Sequence, residues 1–120
     1  SELLDPGLKV CFGQDSIRDP WYPMGNGNLL RTLDVGLHAC HMLGMERIET
    51  ALEIVTDNGA AALNLAEYGI AVGNPARCMV LNGTTPYEVL LNQSPVLASV
   101  RDGRCLVQRA APVHEVAGWS

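Results

Sequence analysis

A mixed α+β fold is what these 120 residues predict, either one α+β domain or, since a strand precedes helices and then small β elements, the partial fold that would end a longer α/β chain. Three observations carry that expectation. Leu8-Lys9-Val10-Cys11-Phe12 is a nearly continuous apolar run that stops at Gly13-Gln14-Asp15, the pattern of a parallel strand buried on both faces. Over residues 28–43, Leu29, Leu30, Leu33, Leu37 and Cys40 recur at helical spacing. Near the end, Arg101-Asp102-Gly103 separates two β-prone runs, a strong short-range hairpin signal.

Composition sets the outer bounds. The chain is long enough for one domain, and its 48% hydrophobic and 18% charged residues are ordinary for a globular protein. Eight Lys and Arg against thirteen Asp and Glu give a net charge of −5, with the basic residues scattered, which excludes a phosphate-backbone binder. No apolar run approaches the ~18 residues a membrane span requires. Cys11, Cys40, Cys78 and Cys105 lie among apolar neighbours with no CxxC pair, so they are expected to be buried free thiols in a reducing, cytoplasmic compartment.

In chain order, residues 1–4 have the character of a last helical turn, ended by Asp5-Pro6-Gly7. The strand at residues 8–12 follows and delivers Asp15. The loop Ile17-Arg18-Asp19-Pro20-Trp21-Tyr22-Pro23 continues neither helix nor strand. Asn26 or Asn28 caps the helix of residues 28–43, and Gly44 stops it. A second helix is expected over residues 46–55, buried through Ile48, Ala51, Leu52 and Val55, with Glu46, Glu49 and Glu53 on a solvated face. A short helix over residues 60–65 has Thr56 or Asn58 as its cap. Residues 76–82 form a β-type run ending at the Asn82-Gly83 turn, and Pro86 opens a one-to-two-turn helix through Leu91. Residues 96–100 and 104–108 make the antiparallel pair, and residues 110–120 carry little pattern.

The chemistry centres on Asp15. From position alone it is either a catalytic group, since α/β folds place these at the carboxyl ends of parallel strands, or an Asp that caps a turn. A catalytic zinc usually takes three protein ligands, so Asp15 needs partners. His38 and His41 lie three apart on a helix, but no Glu-x-x-His pattern accompanies them, and they are expected to be satisfied core or interface residues. His114 has no assigned role. A nucleophile elbow, a phosphate-binding loop, a zincin pair and the Pro-Cys-x-x-Cys of the small zinc nucleobase deaminases are all absent. Trp21 and Tyr22, beside a catalytic carboxylate, are placed to stack on a flat ring.

Val10-Cys11-Phe12-Gly13-Gln14-Asp15-Ser16-Ile17-Arg18-Asp19-Pro20-Trp21-Tyr22-Pro23 resembles the last barrel strand and following loop of the cytosine deaminases of the amidohydrolase superfamily. The likeness continues through Gly36-Leu37-His38, Leu63-Asn64-Leu65, Tyr68-Gly69-Ile70-Ala71-Val72-Gly73-Asn74 and Ser99-Val100-Arg101-Asp102-Gly103. It implies the last strand and helices of a (β/α)8 metal-dependent hydrolase barrel, residues 1–72, followed by part of a small β-sandwich domain and tail, residues 73–120. By the same resemblance, Asp15 touches one divalent metal, zinc or iron, and takes a proton from the attacking water, while Ser16 and Trp21 contact a small heterocyclic substrate. Relatives of this kind carry His and a second Asp where this chain has Gln14 and Ser16, so the substrate is expected to differ. Ile17-Arg18-Asp19 and Gly25-Asn26-Gly27 also look like relatives acting on aminotriazines.

A (β/α)8 barrel takes ~250 residues, and the family's remaining ligands and proton-transfer residues have no counterpart in this sequence. The expectation is therefore a C-terminal segment of a deaminase that releases ammonia from a cytosine-like ring. As an isolated polypeptide it should be inactive, hold no tight metal, and either self-associate or join the missing N-terminal barrel segment. The rival expectation is a non-catalytic, self-associating domain derived from such a segment. Neither involves nucleic acid or a membrane.

Overall fold

The computed structural model describes residues 7–113. Expectations for residues 1–6 and for His114 and the end of the tail lie outside them. The elements run α1 (Leu29–Ala39), α2 (Met45–Thr50), α3 (Leu52–Val55), α4 (Asp57–Ala62), β1 (Arg77–Leu81), α5 (Pro86–Leu91), β2 (Val96–Arg101) and β3 (Arg104–Gln108). The result is a mixed α/β arrangement of short helices and one antiparallel sheet in the order β1-β2-β3.

Helix α1 organises the helical part. Its Leu30, Leu33 and Leu37 fall on one stripe and are buried, Leu33 completely. Against them pack Met42, Ala51, Ile54 and, from α5, Val89 and Leu90, so one core joins helices from both ends of the chain. Asn28 caps α1 by accepting from the Leu30 N–H at 3.0 Å, and Asn26 in turn accepts from the Asn28 N–H at 3.0 Å. The helix ends at Ala39, short of Gly44, because Cys40 closes it and His41 turns into the left-handed region at φ 52°. Gly44 instead starts α2.

The second expected helix is broken at Ala51. The Ala51 N–H donates to Ile48 O at 3.2 Å and the Ile54 N–H to Ala51 O at 3.0 Å, tighter three-residue steps that shift the helix while Ala51 itself is fully buried. Glu46, Glu49 and Glu53 lie on the solvated side as expected. Helix α4 begins at Asp57, three residues early; Thr56 precedes it, but its hydroxyl bonds back to Leu52 O at 2.8 Å and provides no side-chain cap.

Three sequence expectations are corrected. Residues 8–12 form no strand: with no partner strand among the described residues, the segment has no regular structure, and Leu8 is 55% exposed. The thiols are free but not buried, since Cys11, Cys40 and Cys105 are exposed and Cys78 is half-buried; Cys105 lies on β3, every residue of which is open to solvent. His38 is no core residue. One step beyond Leu37 turns it out of the buried stripe, where its Nδ1 lies 3.3 Å from the Asp34 carboxylate and 2.9 Å from Asp34 O.

The β half follows its local signals. Asp102 and Gly103 both have positive φ, 50° and 76°, as a two-residue hairpin turn with matching twist requires. Arg77 of the neighbouring strand clamps the turn through its Nε, 2.7 Å from the Asp102 carboxylate. Helix α5 is capped reciprocally: Thr85 Oγ1 accepts from the Glu88 N–H at 3.1 Å, and the Glu88 carboxylate accepts from the Thr84 N–H at 2.9 Å and the Thr84 hydroxyl at 2.6 Å. The Thr84 hydroxyl, with the backbone donors, holds the Glu88 carboxyl below the usual range.

Two substitutions test this packing by urea denaturation. Leu33→Ala should cost about 2–5 kcal/mol, because it opens a cavity at the centre of the core. Thr85→Ala should cost about 1 kcal/mol through the lost cap.

Candidate functional site

Asp15 stands at the end of an irregular segment that side chains, not strand pairing, hold in place. The Asn58 side chain of α4 donates to Val10 O at 2.9 Å. Two residues on, the Phe12 ring lies so close to Gly36 of α1 that a Cβ there would collide with it. Gln14 then reaches α1, where its Oε1 accepts from the Thr32 hydroxyl at 2.7 Å, while its Nε2 donates to Ser16 O at 2.6 Å. These anchors carry the chain across the helices and leave the Asp15 side chain exposed.

After Asp15 the loop folds on itself. Ser16 is buried, 8% exposed, and its carbonyl fills the space where any side chain at residue 25 would begin, so Gly25 is required there. The Asp19 carboxylate accepts from the Tyr22 N–H at 2.7 Å. That bond holds the Asp19 carboxyl below the usual range, against some burial, with the Ser16 hydroxyl and the Trp21 N–H adding to it. Tyr22 is half-buried, with the Arg31 guanidinium 5.7 Å from its ring centre, and Arg31 also donates to Met24 O at 3.4 Å.

Of the three site residues expected from the sequence, Asp15 and Ser16 are adjacent at the head of this loop. Asp15 is exposed and Ser16 is buried. Trp21 projects from the loop with 88% of its surface exposed. Among the described residues no group of three or more His, Cys, Asp or Glu side chains is placed to hold a metal ion. Asp15 therefore offers a single carboxylate, and these residues do not make up a metal site. A separate open cleft of about 160 Å³ is lined by Met42, Arg47, Thr50, Glu53, Ile54 and Asn58, and includes none of the three.

The sequence marks Gln14 only as a departure from the relatives it resembles and Asp19 only as part of the loop pattern; the contacts of both, and the part of Thr32, come from the structure. The Asp19-Pro20-Trp21-Tyr22 spacing was a readable turn signal, an acid one residue before Pro with its acceptor facing the third N–H beyond it. Gln14 and Thr32, eighteen positions apart, gave no local sign of their contact.

Residues 1–107 match the amidohydrolase family. The chain belongs to that family. In crystal structures of 5-methylcytosine deaminase from Klebsiella pneumoniae, liganded with phosphonocytosine or 5-fluorocytosine, the amidohydrolase chain finds its counterpart at 49% identity and TM-scores of 0.90 and 0.91, covering 96% of itself and 28% of that protein. It is 29% identical over 108 residues to N-isopropylammelide isopropyl amidohydrolase of Pseudomonas sp. (strain ADP), covering 89% of itself and 27% of that protein. With pterin deaminase of Rhizobium rhizogenes (strain K84 / ATCC BAA-868) it shares 28% identity over 113 residues, 92% of itself and 25% of the relative. The chain thus spans little more than a quarter of these relatives' length. No helix among the described residues is long and apolar enough to cross a membrane.

The Asp19 contacts have a consequence for pH. A depressed folded-state pKa means that the stabilisation is complete above the ordinary aspartate value of about 3.9 and is lost as pH falls through the lower folded value. The Tyr22 amide resonance, followed by NMR, should shift with a midpoint below about 3.9, and the shift should vanish in Asp19→Asn. A midpoint at or above the ordinary value would contradict the loop geometry.

Proposed function

We propose that this amidohydrolase chain is the C-terminal portion of a metal-dependent deaminase that releases ammonia from a cytosine-like nitrogen heterocycle. The observation that carries the reading is 49% identity, over 96% of the chain, to an enzyme crystallised with cytosine analogues. In this reading residues 1–72 close a (β/α)8 barrel and residues 73–120 contribute to a small β-domain. Asp15 supplies one carboxylate to a divalent ion, zinc or iron, and the other ligands come from outside these residues, since a catalytic zinc usually takes three from the protein. Bound in the intact enzyme, that ion supplies an activated water.

This chain's own residues would take three parts. Asp15, exposed at the end of its anchored segment, is the acceptor for a proton. Ser16, small, uncharged and buried in the loop next to Asp15, would shape the pocket by its size where an acidic residue would intrude, which suits a cytosine carrying a substituent. Trp21 offers a broad apolar face, 88% exposed in these residues, to wall the substrate pocket. Ile70 and Val72, 94% and 108% exposed, give the rest of the barrel apolar surface to cover. The enzyme so assembled is soluble and cytoplasmic.

Ammonia release by the intact protein should be measured on cytosine, 5-methylcytosine, isocytosine, creatinine and an aminotriazine, together with its metal content. Turnover of a cytosine with about one divalent ion per chain is expected, and Asp15→Asn should lower kcat by about 100- to 10,000-fold. The polypeptide of residues 1–120 should show no turnover of its own. An intact protein that binds no metal and deaminates none of the five would favour a non-catalytic, self-associating domain, whereas activity in the 1–120 polypeptide would overturn the placement of the other ligands outside these residues.

A further inference from the structure

We propose that Gln14, held by Thr32 of α1, is the positioning residue that fixes the direction in which Asp15 is presented; this rests on the catalytic reading of Asp15 given above. The Gln14 side chain makes two bonds that straddle Asp15. Its Nε2 donates to the carbonyl of Ser16 at 2.6 Å, closing a small ring around the Asp15 backbone. Its Oε1 accepts from the Thr32 hydroxyl at 2.7 Å, tying that ring to the first turn of α1. Thr32 follows Asn28 by one helical turn and precedes the buried Leu33, so the hydroxyl is carried by a capped and packed helix.

The Ser16 carbonyl is held from its other side as well. It abuts the Cα of Gly25, where a Cβ would collide with it. Gripped between Gln14 and Gly25, the Ser16–Ile17 peptide has little freedom to rotate, and with Gln14 itself tied to α1 the backbone that carries Asp15 is held on both sides. A Gln is suited to the position because it donates at one end and accepts at the other. Glu in its place would keep the bond from Thr32 and set two oxygens against each other at Ser16. Misplacing a reacting group by ~1 Å can cost 100-fold in rate, so loss of this bridge should act on turnover more than on substrate affinity.

The test uses the intact protein, with steady-state kinetics on cytosine or 5-methylcytosine, divalent metal per chain by elemental analysis, and thermal denaturation for Gln14→Ala, Gln14→Glu, Thr32→Val, Thr32→Ser and Gln14→Ala/Thr32→Val. Expected are kcat losses of about 10- to 100-fold in Gln14→Ala, Gln14→Glu and Thr32→Val, with KM within about threefold and metal content unchanged. The double variant should be no worse than the poorer single one, because both cut the same bridge. Thr32→Ser, which keeps the hydroxyl, should stay within about twofold of the parent. The proposal is overturned if Gln14→Ala and Thr32→Val keep kcat within twofold, if their losses simply add, or if Thr32→Ser is as impaired as Thr32→Val. Asp15→Ala separates the two levels: full activity in that variant would remove the catalytic reading of Asp15 itself, whereas a dead Asp15→Ala beside an unaffected Gln14→Ala would sink only the role of Gln14.

Discussion

The seating of Phe12 against Gly36 is the contact on which the arrangement of the site depends. A segment without strand partners gains no ladder hydrogen bonds and must be fixed by side chains, and a ring lying directly on a helix backbone is possible only where the helix has no Cβ. The cost of a glycine inside α1, about 1 kcal/mol of helix propensity, is offset by an aromatic anchor two residues upstream of Gln14. From that anchor the rest follows in register: Gln14 meets Thr32, Ser16 turns inward onto Gly25, and Asp15 between them faces outward.

The same molecule divides into surfaces that are satisfied and surfaces that are not. The loop after Asp15 answers its own polar groups, with Asp19 serving Tyr22 and Ser16 while Arg31 covers the Tyr22 ring. In contrast, Ile70 and Val72 are almost wholly exposed, and β3 is open to solvent along its whole length. Soluble chains seldom leave large contiguous apolar patches bare. A chain that spans little more than a quarter of its relatives' length, with a well-formed loop and uncovered flanks, fits the amidohydrolase portion proposed here.

What was legible in the sequence was what local chemistry decides. The Asn28 cap and the Leu30, Leu33 and Leu37 stripe announced α1, Pro86 opened α5, and Asp102-Gly103 set the hairpin, since each depends on residues within a turn or two of one another. Long-range features were not legible. The apolar run of residues 8–12 carries the composition of a buried strand, yet pairing is a property of its neighbours. The break at Ala51 arises from tight packing, and the exposure of Cys11 and Cys105 follows from faces that nothing among the described residues covers. Asp15 and Trp21 stand out as candidates from their place after an apolar run and Ser16 from the resemblance of the loop, whereas the Gln14–Thr32 bridge, spanning eighteen positions, left no local sign.

The most direct measurement is a crystal structure of the intact protein with 5-fluorocytosine, using anomalous scattering to locate any divalent ion. The expected result is one ion with an Asp15 carboxylate oxygen at about 2.0–2.2 Å, if zinc, and the pyrimidine ring beside Ser16 and Trp21. An ion bound elsewhere, with Asp15 facing bulk water and no ligand near Ser16, would contradict the assignment of this loop to the catalytic centre.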